Sequence, residues 1–442
     1  MMDTPRLPPH GHSTLKALLV LEDGAHFWGT SVGAVGETFG ELVFETGMTG
    51  YQEVLTDPSY RGQIVVMTYP EIGVYGVNPE DPESSQVHVA GLVVHRAVEG
   101  PFNQRATGSF TDYLAQTQTV GIEGVDTRAL TRHLRTQGAM RGAISTSDLD
   151  PNHLLGRVLE SPKMLGLNLV QEVGASEITE RSVIPANGDD APGQRPDRLH
   201  IVILNAGVKE GIVRDFVNRG VRVTSAPFDA EVETIVALRP DGVLITNGPG
   251  DPAVLERTIV LIRGLLERRI PVGGICLGHQ LLGLAIGART YKMRFGHRGS
   301  NHPVKDLSSG SVIITTHNHG FAIDPTSLGI PWSPLDEAFR PTRPEVLQDE
   351  GLRRRATALD RPPTMAELLP DQPLIGESPL DFGPVEISQL SLNDGTVAGL
   401  RLLERPAFSV QHHPEASPGP HDANYFFDQF IAMVESEGTD YA

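Results

Sequence analysis

From Leu199 onward, short apolar runs alternate with amphipathic ones: LHIVILN, KEGIVRDFVNRG, VRVTSAPF, AEVETIVALRP, DGVLITNGPGDP, AVLERTIVLIRGLLERRI and PVGGICLGHQLLGLAIGA. The first kind has the length and β-branched content of buried strands, the second the 3.6-residue period of helices. Such an alternation can bury its apolar faces in few ways. Parallel strands joined by right-handed helical crossovers form an open sheet with helices on both faces. Ligands of these sheets gather beyond the carboxyl ends of the strands, so chemistry is expected in the loops that follow them.

The first part of the chain has another rhythm. KALLVLEDGAHFWGTSVG reads as two strands around a Glu22-Asp23-Gly24 turn. GELVF, GQIVVMTYP and VHVAGLVVH are also strand-like, until DTRALTRHLRTQG predicts a helix capped by Asp126, with Leu130 and Leu134 on its apolar face and Gly138 at its stop. A short helix is expected after Pro151. Periodicity then fails in a stretch of small, charged, proline and glycine residues. The expected organisation is a β-rich amino-terminal domain over 14–172, a linker over 173–197, and an α/β domain with an open, mostly parallel sheet over 198–442. Prolines recur over 331–385 too often for regular structure, so this is read as an insertion whose helical stretch is EVLQDEGLRRRATA. A hairpin around Asn393, Asp394 and Gly395, the strand AFSVQHHPE and a helix from about His421 to Val434 complete the reading.

Charge and cysteine content exclude whole classes of function. With 36 basic and 55 acidic side chains the formal net charge is −19, which repels nucleic acid and anionic membrane surfaces. No apolar run approaches the ~20 residues that cross a bilayer, and no export signal opens the chain. The single cysteine, Cys276, excludes an intrachain disulfide and a zinc site built from several thiolates, and a cytoplasmic location is expected.

That cysteine carries the strongest chemical signal. In PVGGICLGHQ an apolar strand runs into Cys276, glycines flank it at 274 and 278, and a helix follows at once. A nucleophile on such an elbow is exposed at the top of the sheet, the helix N-terminus favours its thiolate, and the N–H of Leu277 can meet an oxyanion. SVQHHPEAS supplies a base and its orienter, because His413 and Glu415 are two residues apart and point to the same side of a strand end. NGPGDP at 247–252 is a loop whose N–H groups can receive a carbonyl oxygen, and TTHNHGFAID is read as a loop presenting Asn318, Gly320 and Phe321 to a substrate's polar head. His317 and His319 have a spacing that can face one ion, with His297, His302, His412 and His413 as further donors. No acidic cluster accompanies HNH and no HExxH helix appears, so no metal site is assigned. Neither GxGxxG nor GxxxxGK[ST] follows a strand, so no nucleotide cofactor is expected in this chain.

GICLGHQ, QHHPE and NGPGDP together resemble the class I glutamine amidotransferases, and LVLEDG, GELVFETGMTGYQEVLTDPSY, GVDTRALTRHLR, FGHRGSNHPVKD and PEASPGPHDA are similar to the small, glutaminase chains of carbamoyl-phosphate synthetase. The resemblance implies a flavodoxin-like fold for the second domain. It implies Cys276 as nucleophile, His413 as general base and acid, and Glu415 as orienter, with L-glutamine held by Gly248, Gly250, Leu277, Gln280, Asn318, Gly320 and Phe321. It further implies an oxyanion hole from the Leu277 and Gly250 amides. A large partner chain, joined as a heterodimer or higher assembly, would use ATP and magnesium on the channelled ammonia. The sequence departs from this pattern at Gly47, where the family carries serine, at NAGVKEGIV in place of a usual Asp-Phe-Gly start, and in the proline-rich insertion. A non-catalytic subunit that retains the fold and a metal hydrolase stand as alternatives.

Overall fold

The structure is a computed structural model and describes residues 15–100, 102–181, 199–332 and 369–437. Its first half contains nine strands: β1 (Lys16–Leu21), β2 (His26–Gly33), β3 (Glu37–Glu45), β4 (Gln63–Met67), β5 (Glu71–Ile72), β6 (Gly91–Val93), β7 (Arg96–Ala97), β8 (Val120–Glu123) and β9 (Met140–Ser145). Seven of them close a barrel in the order β1-β2-β8-β6-β4-β3-β9, while β5 and β7 pair with each other. Closure leaves no barrel edge exposed. The expected hairpin forms, with Val20 opposite His26. VHVAGLVVH contributes only Gly91–Val93 as strand, because β6 is a short parallel rung between β4 and β8.

Four helices brace this barrel: α1 (Tyr51–Thr56), α2 (Phe110–Gln116), α3 (Thr127–Gln137) and α4 (Pro151–Glu160). Asp126 caps α3 by accepting from the Ala129 N–H, and Gly138 ends it at φ 107°. Asp150 caps α4 in the same way, with Pro151 in the first turn where its missing N–H costs nothing. The α1 and α2 helices are too short and too polar to show a helical period in sequence.

The second half is one sheet. Its strands are β10 (Thr179–Arg181), β11 (His200–Asn205), β12 (Arg222–Pro227), β13 (Gly242–Ile245), β14 (Val272–Ile275), β15 (Arg289–Asp306), β16 (Val312–Asp324), β17 (Leu374–Glu377), β18 (Pro384–Ser391), β19 (Val397–Leu402) and β20 (Ala407–Val410). The order is β10-β12-β11-β13-β14-β20-β19-β18-β15-β16, with β17 on β18. The five strands from β12 to β20 pair in parallel, as the alternation requires. Helices α5 (Glu210–Asn218), α6 (Val232–Ala237), α7 (Glu256–Glu267), α8 (Leu277–Ala285) and α9 (Tyr425–Glu437) accompany them. Beyond β20 the sheet continues antiparallel, so the mostly parallel sheet expected is parallel only at its centre.

Three sequence expectations need correction. TTHNHGFAID is not a loop: it lies inside β16, paired along β15. Its period-two alternation is hidden because both faces carry polar side chains. Thr179–Arg181, assigned to the linker, add an antiparallel edge strand to β12, and residues 182–197 of the linker lie outside the described residues. Leu374–Glu377, assigned to the insertion, form β17, and Leu369 and Phe382 are buried in the core of this domain. The helix expected at EVLQDEGLRRRATA lies outside the described residues.

The turn from β14 into α8 brings backbone against backbone. A Cβ on Gly278 would sit 2.2 Å from the Ile245 carbonyl oxygen, and one on Gly274 would sit 2.7 Å from the Gly278 carbonyl oxygen. Neither neighbour is a flexible side chain, so the helix itself would have to move. Gly278→Ala is expected to destabilise the domain by about 3 kcal/mol, the scale of severe overpacking. Thermal unfolding of the variant beside wild type checks this, and an unchanged melting temperature would refute the close approach.

Candidate active site

Cys276 links β14 to α8 as the N-cap of the helix, with φ 54° and ψ −101°. A non-glycine residue at positive φ is strained by about 1–3 kcal/mol and persists only where its surroundings enforce it. Here the Cys276 N–H donates to the Val410 carbonyl at 2.9 Å, and the side chain is 2% exposed with its Sγ 3.5 Å from the Asn318 carbonyl oxygen. Leu277, as the first helical residue, has an N–H outside the helical ladder.

His413 follows β20, where its N–H donates to the Thr316 carbonyl at 2.8 Å. Its Nδ1 donates to Glu415 Oε1 at 2.7 Å, leaving the buried Nε2 without a hydrogen-bond partner on the side of Cys276. Burial works to depress the pKa of this imidazole, but the Glu415 carboxylate and the Cys276 sulfur overcome it and raise it to about 10. Burial likewise works to raise the pKa of Glu415, and Lys209 with His413 brings it down to about 2. The array is therefore set up to hold His413 as an imidazolium beside the Cys276 sulfur.

Lys209 is the member that sequence reasoning missed. It stands beyond the carboxyl end of β11, in the NAGVKEGIV stretch, and strand-end position was its only available signal. Its Nζ lies 3.0 Å from Glu415 Oε1 and 3.7 Å from Glu83 Oε1, with side-chain exposures of 5%, 0% and 1%. Burial acts to lower its pKa, but Glu415, Glu83 and Asp57 reverse that and hold it above the usual ammonium range. Glu83 comes from the barrel half and also accepts from the Gly211 N–H at 3.0 Å. The site is thus assembled across both halves of the chain.

The seven residues expected to hold glutamine line one cavity with Cys276: Gly248, Gly250, Leu277, Gln280, Asn318, Gly320 and Phe321. The amide hydrogens of Gln280 are spent on the Phe321 carbonyl at 2.8 Å and Gln411 Oε1 at 3.0 Å, which leaves its own oxygen to accept. Asn318 Nδ2 reaches Asp57 at 3.4 Å, while its Oδ1 is buried and unpartnered. The same cavity is walled by Ser59, Glu41, Lys292 and Arg298, none of which stood out in the sequence. Glu41 pairs with Lys292 at 2.9 Å, and Arg298 donates to Gln63 Oε1 at 3.2 Å. Asn247, at the start of NGPGDP, donates to Ser59 Oγ at 2.9 Å and ties that loop to the barrel.

Residues 19–144 match the family model of the carbamoyl-phosphate synthase small chain, CPSase domain, and residues 202–341 and 378–433 match that of glutamine amidotransferase class-I. A carbamoyl phosphate synthase small chain of Thermotoga maritima is 56% identical over 420 residues, covering 95% of this chain and 98% of the relative. The chain belongs to the carbamoyl-phosphate synthase small chain family. Small chains of a Nostoc species and of Streptomyces avermitilis are 46% and 43% identical, over 96% and 97% of this chain and 96% and 98% of their own lengths.

Within this small chain, Gly47 donates its N–H to Glu45 Oε1 at 2.8 Å. Ser300 Oγ lies 3.6 Å from the position a Cβ on Gly47 would occupy, so β15 brings a hydroxyl beside Gly47. Of the histidines considered as ligands, the fold gathers His297, His302, His317 and His319 into a buried group, puts the His412 ring 6.1 Å from that of His317, and leaves His413 facing Cys276. Among the described residues, no helix is long and apolar enough to cross a membrane.

Proposed function

We propose that this glutamine amidotransferase subunit hydrolyses L-glutamine through Cys276, His413 and Glu415. The observation that carries the reading is the buried array of these three side chains, with Cys276 opening on the cavity walled by Gly248, Gly250, Gln280 and Asn318. The Cys276 thiolate attacks the side-chain amide carbon, and the oxyanion that forms meets the Leu277 and Gly250 amides. His413 protonates the departing nitrogen, so ammonia leaves and a thioester remains. The same imidazole then takes a proton from water, which attacks the thioester and frees glutamate and the thiol. Glu415 fixes the His413 ring with Nε2 towards sulfur, and Lys209 keeps Glu415 ionised.

The charges around the cavity suit an amino acid. Arg298 and Lys292 can meet an α-carboxylate and Glu41 an α-ammonium group, while the unpartnered Asn318 Oδ1 can accept from an amide N–H. Ammonia passes to the large partner chain, which uses ATP and magnesium to make carbamoyl phosphate from bicarbonate for arginine and pyrimidine synthesis. A cytoplasmic location accords with that role.

Glutamate release from glutamine, measured with the purified chain alone and with its large chain, bicarbonate and ATP, tests this function. Release that rises at least about 10-fold in the complete system is expected of a coupled amidotransferase. No release in either condition, with Cys276 shown to be reduced, would refute it.

A further inference from the structure

Beside the catalytic array, four buried histidines of β15 and β16 bring their rings together, with His319 also at the wall of the cavity that holds Cys276. The strand register puts His297 of β15 opposite His319 of β16, and Gly299 opposite His317. His297, His317 and His319 each bring one ring nitrogen into a set in which all lie within 4.8 Å of one another.

Hydrogen bonding decides which nitrogens carry protons. His319 Nδ1 lies 2.8 Å from the Phe321 carbonyl oxygen, which can only accept, so this nitrogen carries the hydrogen and Nε2 carries a lone pair. Thr315 gives its hydroxyl hydrogen to the His302 carbonyl at 2.8 Å, so at 2.9 Å from His317 Nε2 it must accept, and His317 Nδ1 carries a lone pair. His297 Nε2 lies 3.0 Å from the buried Asp394 carboxylate, which leaves its Nδ1 as an acceptor that is buried and unpartnered. The two lone pairs of His317 and His319 therefore face each other at 3.1 Å, and His297 brings one ring nitrogen within 4.8 Å of theirs.

Opposed lone pairs at that distance repel unless a cation lies between them. Two nitrogens on one tetrahedral zinc at ~2.05 Å would be about 3.3 Å apart, close to the separation found. The far nitrogens are each tied to a carboxylate, a carbonyl or a hydroxyl, the pattern by which ligating imidazoles are oriented. We infer that His297 Nδ1, His317 Nδ1 and His319 Nε2 form a binding site for a divalent first-row transition ion such as Zn²⁺, built without Cys276, His413 or Glu415. His302, whose buried Nε2 has no partner and whose ring centroid is 5.0 Å from that of His317, borders the set. The ion is structural: it pins β15 to β16 beside bulges at Lys292/His297 and Gly299/His302, and so positions Asn318. This departs from the expectation that the chain holds no metal.

The test is metal binding by the purified full-length chain. After chelator treatment and dialysis, Zn²⁺ is expected to bind at about one equivalent and raise the melting temperature, and Co²⁺ to show the visible ligand-field absorption of a four-coordinate site without thiolate charge transfer. His317→Gln is expected to weaken binding at least 100-fold and Asp394→Asn by about 10- to 100-fold, while Cys276→Ala leaves it unchanged. The Asp394 variant keeps the test open should His317→Gln not fold. Folded wild-type protein that takes up no stoichiometric Zn²⁺ or Co²⁺, or binding that is lost in Cys276→Ala but kept in His317→Gln, would overturn the assignment.

Discussion

Cys276→Ala is expected to lower glutamine-dependent carbamoyl phosphate formation by about 10³-fold or more, the scale on which loss of a nucleophile acts. Ammonia-dependent formation by the complex with the large chain should stay near the wild-type rate. The substitution removes one buried sulfur from a site whose backbone is held from outside, by the Val410 carbonyl and by glycine contacts at 274 and 278. The fold around the elbow should therefore survive, and the ammonia-dependent rate reports whether it has. Alanine is preferred to serine because a hydroxyl beside His413 could act as a slow nucleophile and blur the result. Retention of more than a tenth of the glutamine-dependent rate would remove Cys276 from the mechanism.

Lys209→Met is expected to cost about 3–5 kcal/mol of stability, because it leaves Glu83 and Glu415 buried without their cation. For a domain of this size that is a fall of roughly 10 °C in melting temperature. The wild-type sign is clear: Glu415 is held at about 2, below its usual 4.5, so its ionised form stabilises the fold above about pH 4.5 and that contribution is lost as pH falls towards 2. Without Lys209 the largest influence lowering that pKa is gone and burial raises it instead. A buried carboxylate with a raised pKa destabilises the fold at pH values above the unfolded one, so the deficit should be larger at pH 8 than at pH 5. Activity should fall in step, since a protonated Glu415 no longer holds His413 for proton transfer. Equal melting temperatures for the variant and wild type at pH 8 would show that the ion triad carries no stability.

How much of this was legible depends on the range of the physical signal. The elbow was readable because glycines on either side of a lone cysteine, between an apolar strand and a helix, have few other uses. His413 and Glu415 were readable because two residues apart on a strand end means one direction. The parallel strands β11 to β14 were readable from their β-branched runs. The hidden strand at TTHNHGFAID shows the limit: when both faces of a strand are polar and buried, hydropathy has no period to report. The short helices α1 and α2 and the edge strands β10 and β17 escaped for a related reason, since tertiary contacts hold them.

What the sequence determined by itself is therefore local: element type where periodicity is strong, the helix cap at Asp126, and the chemistry of Cys276, His413 and Glu415. The tertiary structure decided everything that depends on residues far apart in the chain. Glu83 meets Lys209 and Glu415, Ser59 meets Asn247, and Glu41 meets Lys292 only because the barrel docks on the carboxyl end of the parallel sheet. Likewise His297 faces His319 only through the β15–β16 register. Coulomb and hydrogen-bond energies depend on separation in space and on burial, and neither can be read from separation along the chain.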